Sequence, residues 1–251
     1  DTRNLSSIYE AIKNHNVVIH LAEMVGDPLC EISPERTYEV NFLASITIAN
    51  ICKNLELDKF IYISSCSVYG SSNKNLLSEK SKLNPLSVYA KLKNICEKAI
   101  SNNSGSSLKP CILRLGTVYG NSLRQRYDLV INLFSALTGN KKKIAINGGN
   151  QWRPFIHVDD IGEAINQIVN SPNSKVNGQI FNIVGENLKI SQIGNIFKKL
   201  YPSVKIIISN ENRDMRNYRV SSKKAKRIIN FIPKKFVKKE IPKIVSKVIK
   251  N

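Results

Sequence analysis

Short apolar runs alternate with segments of helical periodicity along this chain, and this alternation constrains its fold more than any other feature. Runs of about four to eight apolar residues between polar turns are typical of buried strands, and apolar residues three or four positions apart are typical of helices. Strands that alternate with helices favour a parallel sheet covered by helices, which is the α/β class. We predict strands at 17–21, 60–64, 111–115, 179–184 and 204–208, and helices at 34–55, 87–101, 159–169 and 190–200, with two lysine-rich helices closing the chain.

The composition argues against several classes of protein. The chain has 251 residues, of which 42% are hydrophobic. No apolar run approaches the roughly 18 residues of a transmembrane helix, so we expect no membrane span. The five cysteines are scattered and form no CxxC pair, so we expect reduced thiols, a cytoplasmic location and no structural zinc. The three histidines lack metal-ligand spacing, so we expect no metal site.

The formal net charge of +19 allows two interpretations. It is typical of a protein that binds nucleic acid or another polyanion, and it is also typical of a solvated, lysine-rich surface. The basic residues concentrate near the C-terminal end, and no aromatic side chains alternate with them to stack on bases. We therefore favour the solvated surface and do not expect a nucleic-acid partner.

Tyr89 and Lys93 are four positions apart in the predicted helix 87–101, so they share one face of it. An ammonium group beside a phenol stabilises the phenolate and lowers the tyrosine pKa, which makes the tyrosine a usable base near neutral pH. Ser65 follows the predicted strand 60–64, where its hydroxyl is available to hold a substrate oxygen. These three residues are candidates to grip and deprotonate an alcohol. The alternative is a half-buried tyrosine beside a solvated surface lysine.

Distinctive residues follow three of the predicted strands. They are residues 21–23 (LAE), 64–66 (SSC) and 116–120 (GTVYG). Ligands of open α/β sheets bind beyond the carboxyl ends of the strands. We therefore expect these segments to converge on one crevice.

Several motifs also occur in a characteristic order. They are residues 1–4 (DTRN), 20–22 (HLA), 40–42 (VNF), 64–70 (SSCSVYG), the YxxxK pair at 89 and 93, 113–114 (LR) with 118–120 (VYG), and 153–160 (RPFIHVDD). This order resembles the extended short-chain dehydrogenase/reductases, in particular the nucleotide-sugar epimerase/dehydratase group. The resemblance implies a partial Rossmann-type doubly wound parallel sheet with a smaller C-terminal α/β substrate lobe. It places the dinucleotide-binding core at 1–120 and 156–184 and the substrate lobe at 121–155 and 185–251.

The resemblance also implies roles for individual residues. The catalytic residues would be Ser65, Tyr89 and Lys93. The cofactor would be NAD, with NADP left open, and it would contact Asp1, Thr2, Leu21, Ala22, Glu23, Asn41, Ser64, Tyr89, Lys93 and Gly116. The substrate would be a nucleotide-diphosphate sugar, and it would contact Ser65, Thr117, Arg153, Phe155, Arg213, Asp214 and Tyr218. Arg216 is an alternative to Arg213.

The sequence differs from the family pattern at its beginning. The family starts with a strand, a glycine-rich turn and a helix that holds the pyrophosphate, and this sequence has no such run. If residues 1–4 follow the third strand of the family, roughly 60 residues of the pattern precede them, about two βα units. We therefore expect an N-terminally truncated chain that binds NAD poorly by itself.

A second difference bears on the reaction. The 4,6-dehydratases carry an Asp-Glu pair after the catalytic hydroxyl, and this chain has Cys66 and Ser67 there. Loss of water needs an acid and a base, and neither residue supplies a carboxylate. The resemblance thus favours a 4-epimerase that works by transient hydride transfer to bound NAD, with Tyr89 as the base. The alternatives are an NAD(P)H-dependent reductase of a 4-keto nucleotide sugar and a non-catalytic protein, either truncated or polyanion-binding. An acid–base role for Cys66 is less favoured than simple packing.

The resemblance implies a homodimer as well. The helices around 34–54 and 87–101 would pair with their copies in a four-helix bundle. Ile46, Ala49, Leu92 and Cys96 lie on the outer faces of these helices, and they suit a core and an interface equally.

Overall fold

The computed structural model describes residues 1–72, 76–102, 108–209 and 214–250, and it has the predicted mixture of strands and helices. The strands are β1 (Val17–His20), β2 (Lys59–Ser65), β3 (Cys111–Leu115), β4 (Thr117–Tyr119), β5 (Ile144–Asn147), β6 (Trp152–His157), β7 (Ile180–Ile183), β8 (Glu186–Lys189) and β9 (Ile206–Ser209). The helices are α1 (Leu5–Ile12), α2 (Asp27–Ile32), α3 (Pro34–Thr37), α4 (Ala44–Asn54), α5 (Val88–Asn102), α6 (Val130–Gly139), α7 (Val158–Val169), α8 (Asn173–Val176), α9 (Ile190–Leu200), α10 (Lys223–Ile229) and α11 (Val237–Lys250).

The main sheet is parallel and has the order β1-β2-β3-β7. One face packs against α7, α8 and α10 through Ile61, Leu113 and Phe181. The other face packs against α1, α4 and α5 through Phe60 and Ile112. Burial on both faces explains why these strands are continuous apolar runs rather than alternating ones. The predicted doubly wound α/β fold is confirmed.

A second group of elements forms the smaller α/β lobe. Strands β4, β6 and β8 make a mixed sheet, and β5 pairs in parallel with β9. Helices α6, α9 and α11 pack around these strands through a separate hydrophobic cluster that includes Phe134, Phe197 and Ile241. Since β4 begins two residues after β3 ends, the lobe starts at the carboxyl edge of the main sheet. The residue boundaries that we assigned to the core and the lobe stay a prediction.

The predicted helix 34–55 is present, but it is not a uniform α-helix. A π-helical segment, Tyr38–Leu43, lies between α3 and α4. The Asn41 carbonyl in this segment accepts a hydrogen bond from the Ser45 hydroxyl at 2.7 Å and one from the Cys96 thiol at 3.2 Å. These two side chains satisfy a carbonyl whose hydrogen bonding within the helix is altered by the π-helical turn. The periodicity of the sequence does not predict this π-helical segment.

A proline, Pro242, lies inside the last helix, α11. Proline removes one helical hydrogen bond, but Ile241, Ile244 and Val245 of this helix are buried in the cluster of the smaller lobe. Burial of this apolar face stabilises the helix across the proline.

The structure also bears on the state of the cysteines, on metal binding and on membrane insertion. All five cysteines are buried and free. In the described part of the chain, no cluster of three or more His, Cys, Asp or Glu side chains is arranged to hold a metal ion. None of the helices described combines the length and the apolar character that crossing a membrane requires.

A buried polar network fixes the carboxyl end of β2 against α5 and β3. Arg114 donates to Glu97 at 2.6 Å, and the Ser64 hydroxyl donates to the same carboxylate at 2.5 Å. Arg114 also donates to the Tyr69 hydroxyl at 2.9 Å, which in turn donates to Asn182 at 2.9 Å. The Arg114 and Glu97 side chains are only 3% and 5% exposed. The carboxyl ends of β2 and β3 are therefore held by charge-assisted hydrogen bonds to Glu97 in a low-dielectric interior.

We expect the Glu97→Gln variant to lower the free energy of unfolding by about 3 kcal/mol, because Arg114 would stay buried without its counterion. The measurement is the midpoint of urea unfolding. The control is Glu10→Gln, which removes the same charge from the exposed Glu10–Lys13 pair and should change the midpoint little. Equal midpoints for the two variants would contradict the account.

Candidate active site

A cleft of about 380 Å³ lies where the carboxyl ends of β2 and β3 face the smaller lobe. Its polar side chains are Asp27, Ser64, Ser65, Ser67, Tyr89, Thr117, Arg126, Asp128, Arg153, Asp214, Arg216 and Tyr218. The segments that follow β2 and β3 therefore converge on one crevice, as we predicted. The predicted contribution of residues 21–23 is wrong, because they do not line the cleft, and the chain after β1 reaches it through Gly26 and Asp27 instead.

Ser65 and Tyr89 meet in this cleft. Ser65 ends β2, and its hydroxyl accepts a hydrogen bond from the Ser67 amide at 3.1 Å, which begins the 3₁₀ turn Cys66–Tyr69. Tyr89, from α5, lines the same cleft, and the Ser65 side chain by itself lowers the pKa of Tyr89 and so favours the phenolate. The predicted juxtaposition of a strand-end serine and a helical tyrosine is therefore present.

Lys93 lies one helical turn from Tyr89, with its Nζ 5.8 Å from the centre of the Tyr89 ring. Its ammonium group, however, contacts the Glu23 carboxylate and donates to the Ile63 carbonyl. The Lys93 and Glu23 side chains are 4% and 3% exposed, so this ion pair is fully internal. The Tyr62 hydroxyl donates to the same Glu23 carboxylate at 2.9 Å. Lys93 is therefore the counterion of Glu23 in the structure.

This arrangement corrects the prediction that Lys93 lowers the pKa of Tyr89. Burial raises the pKa of Tyr89 well above its ordinary value, and the charges of Glu23 and Cys30 raise it further. The charge of Arg126 and the Ser65 side chain lower the pKa of Tyr89 but do not outweigh burial. The physical reason is that Glu23 neutralises the ammonium charge on which the prediction depended.

Glu23 has a perturbed pKa of its own. Burial raises the pKa of this carboxyl, and the charge and hydrogen bond of Lys93 and the hydrogen bond of Tyr62 only partly reverse the effect. Protonation of Glu23 is thus easier than that of an exposed glutamate. A proton on Glu23 would leave the charge of Lys93 uncompensated beside Tyr89.

Some predicted cofactor residues border open space. Asp1 and Thr2 line an open hollow against α4 and the π-helical segment, and Arg3 bridges Asp1 at 2.6 Å and Glu39 at 3.2 Å. Leu21 is 61% exposed and Ala22 is also exposed, so the end of β1 presents its surface to solvent. These residues are accessible to a dinucleotide.

Other predicted cofactor residues are used by the fold. Asn41 is buried, and its side-chain amide accepts from the Met24 amide at 2.8 Å and donates to the Met24 carbonyl at 2.7 Å. This corrects its assignment as a cofactor contact, because both ends of the amide hold the loop after β1. The Ser64 hydroxyl is likewise taken by Glu97. Gly116 lines the cleft, and a Cβ there would lie 3.1 Å from the Pro154 carbonyl, so its missing side chain permits close packing with β6.

The predicted substrate residues also divide into those that line the cleft and those that do not. Thr117, Arg153, Asp214 and Tyr218 all line the cleft. Phe155 does not, because it is fully buried in the cluster of the smaller lobe, and its assignment as a substrate contact is wrong. Arg213 lies outside the described residues.

Cys66 has the properties of a packing residue. Its thiol is buried and donates to the Arg114 carbonyl at 3.3 Å. Burial raises the pKa of this thiol far above its ordinary value, so the thiolate is not accessible near neutral pH. The structure therefore supports the packing interpretation over an acid–base role.

The cleft also contains three charged residues that our site prediction did not include, namely Asp27, Arg126 and Asp128. Asp27 pairs at 2.7 Å with Arg216, the predicted alternative to Arg213, and Arg126 pairs with Asp128 at 2.5 Å. Asp27 carries a signal in the sequence, since Gly26-Asp27-Pro28 marks a helix start close after a strand end, at the ligand-binding edge of the sheet. Arg126 and Asp128 lie in a segment without periodicity, which gives no comparable signal.

Asp214 is surrounded by positive charge. It bonds Arg153 at 2.7 Å and Arg216 at 2.8 Å. Partial burial raises the pKa of this carboxyl, but the hydrogen bonds and charges of the two guanidinium groups hold it well below its usual range. Asp214 is therefore ionised throughout the physiological pH range.

Comparison with known proteins gives a consistent pattern. A family model described as "NAD dependent epimerase/dehydratase family" matches residues 1–184. A dTDP-D-glucose 4,6-dehydratase of Dictyostelium discoideum is 32% identical over 213 residues, which cover 80% of this chain and 47% of the relative. A putative UDP-glucose 4-epimerase of Methanocaldococcus jannaschii is 29% identical over 191 residues, which cover 74% of this chain and 61% of the relative. The chain thus spans about half to three fifths of the length of these curated relatives.

A solved structure has the same fold over the whole chain. It is the UDP-glucuronic acid 4-epimerase of Bacillus cereus in complex with UDP-glucuronic acid and NAD, at 25% identity and a TM-score of 0.88. The match covers 100% of this chain and 80% of the B. cereus chain.

We expect the Glu23→Gln variant to lower the pKa of Tyr89, because it removes a negative charge that disfavours the phenolate and frees the Lys93 ammonium. The measurement is the pH titration of ¹³Cζ-labelled tyrosine by NMR, with Tyr89→Phe to assign the signal. The control Glu10→Gln removes a remote charge and should leave the Tyr89 signal unmoved, and thermal melting verifies that each variant is folded. An unchanged titration in Glu23→Gln would show that Glu23 does not control Tyr89.

Proposed function

Because this chain belongs to the NAD dependent epimerase/dehydratase family, we propose that it is part of a nucleotide-sugar 4-epimerase. The observation that carries the proposal is that Ser65 and Tyr89 line the same strand-end cleft, with Lys93 one helical turn from Tyr89. The cleft has the arginines that a diphosphate requires, and the M. jannaschii and B. cereus proteins are described as 4-epimerases.

The proposed cofactor is NAD, with NADP left open. The chemistry that NAD supplies is the reversible acceptance of a hydride from the sugar carbon. The residues of this chain that would hold it are Asp1, Thr2, Leu21 and Ala22, which border open space, and Lys93, which adjoins the cleft. The buried Glu23 carboxylate beside Lys93 can also accept a hydrogen bond from a ribose hydroxyl. The described residues therefore fit part of a dinucleotide.

Tyr89 is the proposed acid and base. It takes the proton of a sugar hydroxyl and returns it, while Ser65 holds the oxygen through a hydrogen bond. Because the pKa of Tyr89 is raised in the structure, this step requires that the charge of Lys93 be released from Glu23. Protonation of Glu23, whose pKa burial also raises, is the step that we propose for that release.

The arrangement around Ser65 favours an epimerase over a dehydratase. The residues that follow Ser65 are Cys66, whose thiol is buried, and Ser67, whose hydroxyl makes no hydrogen bond to the described residues. The acidic residues of the cleft are Asp27, Asp128 and Asp214, and each is bound to an arginine. A free carboxylate for the elimination of water is therefore lacking among the described residues of the cleft.

The proposal extends to the substrate, the assembly and the location. The substrate is a nucleotide-diphosphate sugar, with Arg153, Asp214 and Tyr218 on its phosphate and ribose side.

The proposed assembly is a homodimer through α4 and α5, and Ile95 on the surface of α5 is 47% exposed. Light scattering that shows a monomer would reject the homodimer. The location is the cytoplasm. The division into a core at 1–120 and 156–184 and a substrate lobe at 121–155 and 185–251 belongs to the same proposal.

We expect Tyr89→Phe to reduce epimerisation by about a hundredfold or more, because the proton acceptor is lost while the ring is kept. The measurement is NMR of the anomeric protons of UDP- or dTDP-hexoses with the full-length protein and NAD. The matched control is Tyr9→Phe, the same change at an exposed helical tyrosine, which should be silent.

Three results, from this experiment and two further assays, would contradict the proposed function. Turnover that survives Tyr89→Phe would remove Tyr89 from the reaction. Net consumption of NADPH with a 4-keto nucleotide sugar would identify a reductase instead. Retention on DNA that weakens with salt, without turnover of any nucleotide sugar, would identify a polyanion-binding protein.

A further inference from the structure

A chain of ion pairs crosses the cleft from α2 to β6. Asp27 on α2 bonds Arg216 at 2.7 Å, Arg216 bonds Asp214 at 2.8 Å, and Asp214 bonds Arg153 on β6 at 2.7 Å. We call these four residues the cleft bridge. The two ends of the Asp27–Arg216 contact are 189 positions apart in the chain, so the bridge joins the main sheet's helical layer to the smaller lobe.

The cleft bridge is partly withdrawn from solvent. The side-chain exposure is 7% for Arg153, 22% for Asp27, 33% for Arg216 and 36% for Asp214. Arg153 also donates to the backbone carbonyls of Trp152 and Arg216. Arg153 and Arg216 are thus held in one place, and their interactions are screened less than those of fully exposed ions.

The two acidic residues of the bridge are held unequally. Asp214 binds the Nε and the Nη2 of Arg216 at 2.8 Å each, and it also binds Arg153. Asp27 makes a single contact with Arg216 through Oδ2, and its Oδ1 has no hydrogen bond within the described residues. Displacing Asp27 from Arg216 therefore costs less free energy than displacing Asp214.

The charges of the bridge cancel, since two arginines face two aspartates. A diphosphate that enters the cleft adds negative charge and needs guanidinium donors. Arg216 becomes a bidentate partner where one of its aspartates gives it up, and Asp27 is the more weakly bound of the two. We propose that Arg216 positions the substrate diphosphate and that Asp27 is the exchangeable counterion which the diphosphate displaces. This inference rests on the proposed function for the presence of a nucleotide-diphosphate substrate.

The test is the calorimetric affinity of the full-length protein for UDP and, separately, for inorganic pyrophosphate. Asp27→Asn should bind both about fivefold more tightly, since Arg216 no longer has to be released from a charge. Arg216→Gln should bind both more weakly. Asp27→Asn should give no gain in the Arg216→Gln background, because its effect acts through Arg216.

The control separates this exchange from a general change of charge. Asp128→Asn removes the same charge from the same cleft. Asp128 is 58% exposed and its ion-pair partner among the described residues is Arg126, so the affinity should change by less than about twofold. If Asp27→Asn does not fold, Asp27→Ser removes the same charge and suits the first turn of a helix.

The outcomes distinguish this inference from the proposed function. Equal affinities of the wild type and the Asp27 variants for pyrophosphate, or an equal gain in Asp128→Asn, would overturn the exchange. A gain for pyrophosphate without any binding of UDP would support the exchange and contradict the nucleotide-sugar function. Tight binding of UDP that the Asp27 variants leave unchanged would support the nucleotide-sugar function and contradict the exchange.

Discussion

The buried ion pair between Glu23 and Lys93 governs the chemistry of this molecule. It joins the loop after β1 to α5, with the Lys93 Nζ 5.8 Å from the centre of the Tyr89 ring, and both side chains are almost fully enclosed. In a low-dielectric interior the state of such a pair sets the charge that its neighbours experience. Burial is the largest cause of the raised pKa of Tyr89, and the charge of Glu23 raises it further. In the proposed mechanism, the basicity of Tyr89 therefore depends on a carboxyl that is not part of the cleft lining.

The fold supplies the rigidity that such a site needs. Because β1, β2 and β3 are parallel, their carboxyl ends lie at a common edge of the sheet. The Glu97–Arg114 network fixes Ser64, the neighbour of Ser65. Ser65 is therefore positioned by the strand and by the turn that follows it, and the helix α5 carries both Tyr89 and Lys93. The opposite wall of the cleft belongs to the smaller lobe, and the Asp27–Arg216 pair links the two walls.

The sequence predicted what depends on local periodicity. The strands 60–64 and 111–115 and the helix 87–101 are present within one or two residues, and the four-residue spacing correctly placed Lys93 beside Tyr89. It did not predict the partner of Lys93, because helical spacing describes neighbours on one helix and carries no information about a strand-end residue 70 positions away. Phe155 was misassigned for a similar reason, since its motif gives no measure of its burial. The Asp27–Arg216 pair joins residues too distant in the chain for any pattern to connect them.

The most direct test of this account is the pH dependence of kcat/KM for the full-length wild type and its Glu23→Gln variant. Kinetic titration reports the pKa of the essential base in the free enzyme. If Glu23 controls Tyr89, the acidic limb of the profile moves to lower pH in the variant, because the base then ionises more easily. An acidic limb at the same pH in both proteins would contradict the account.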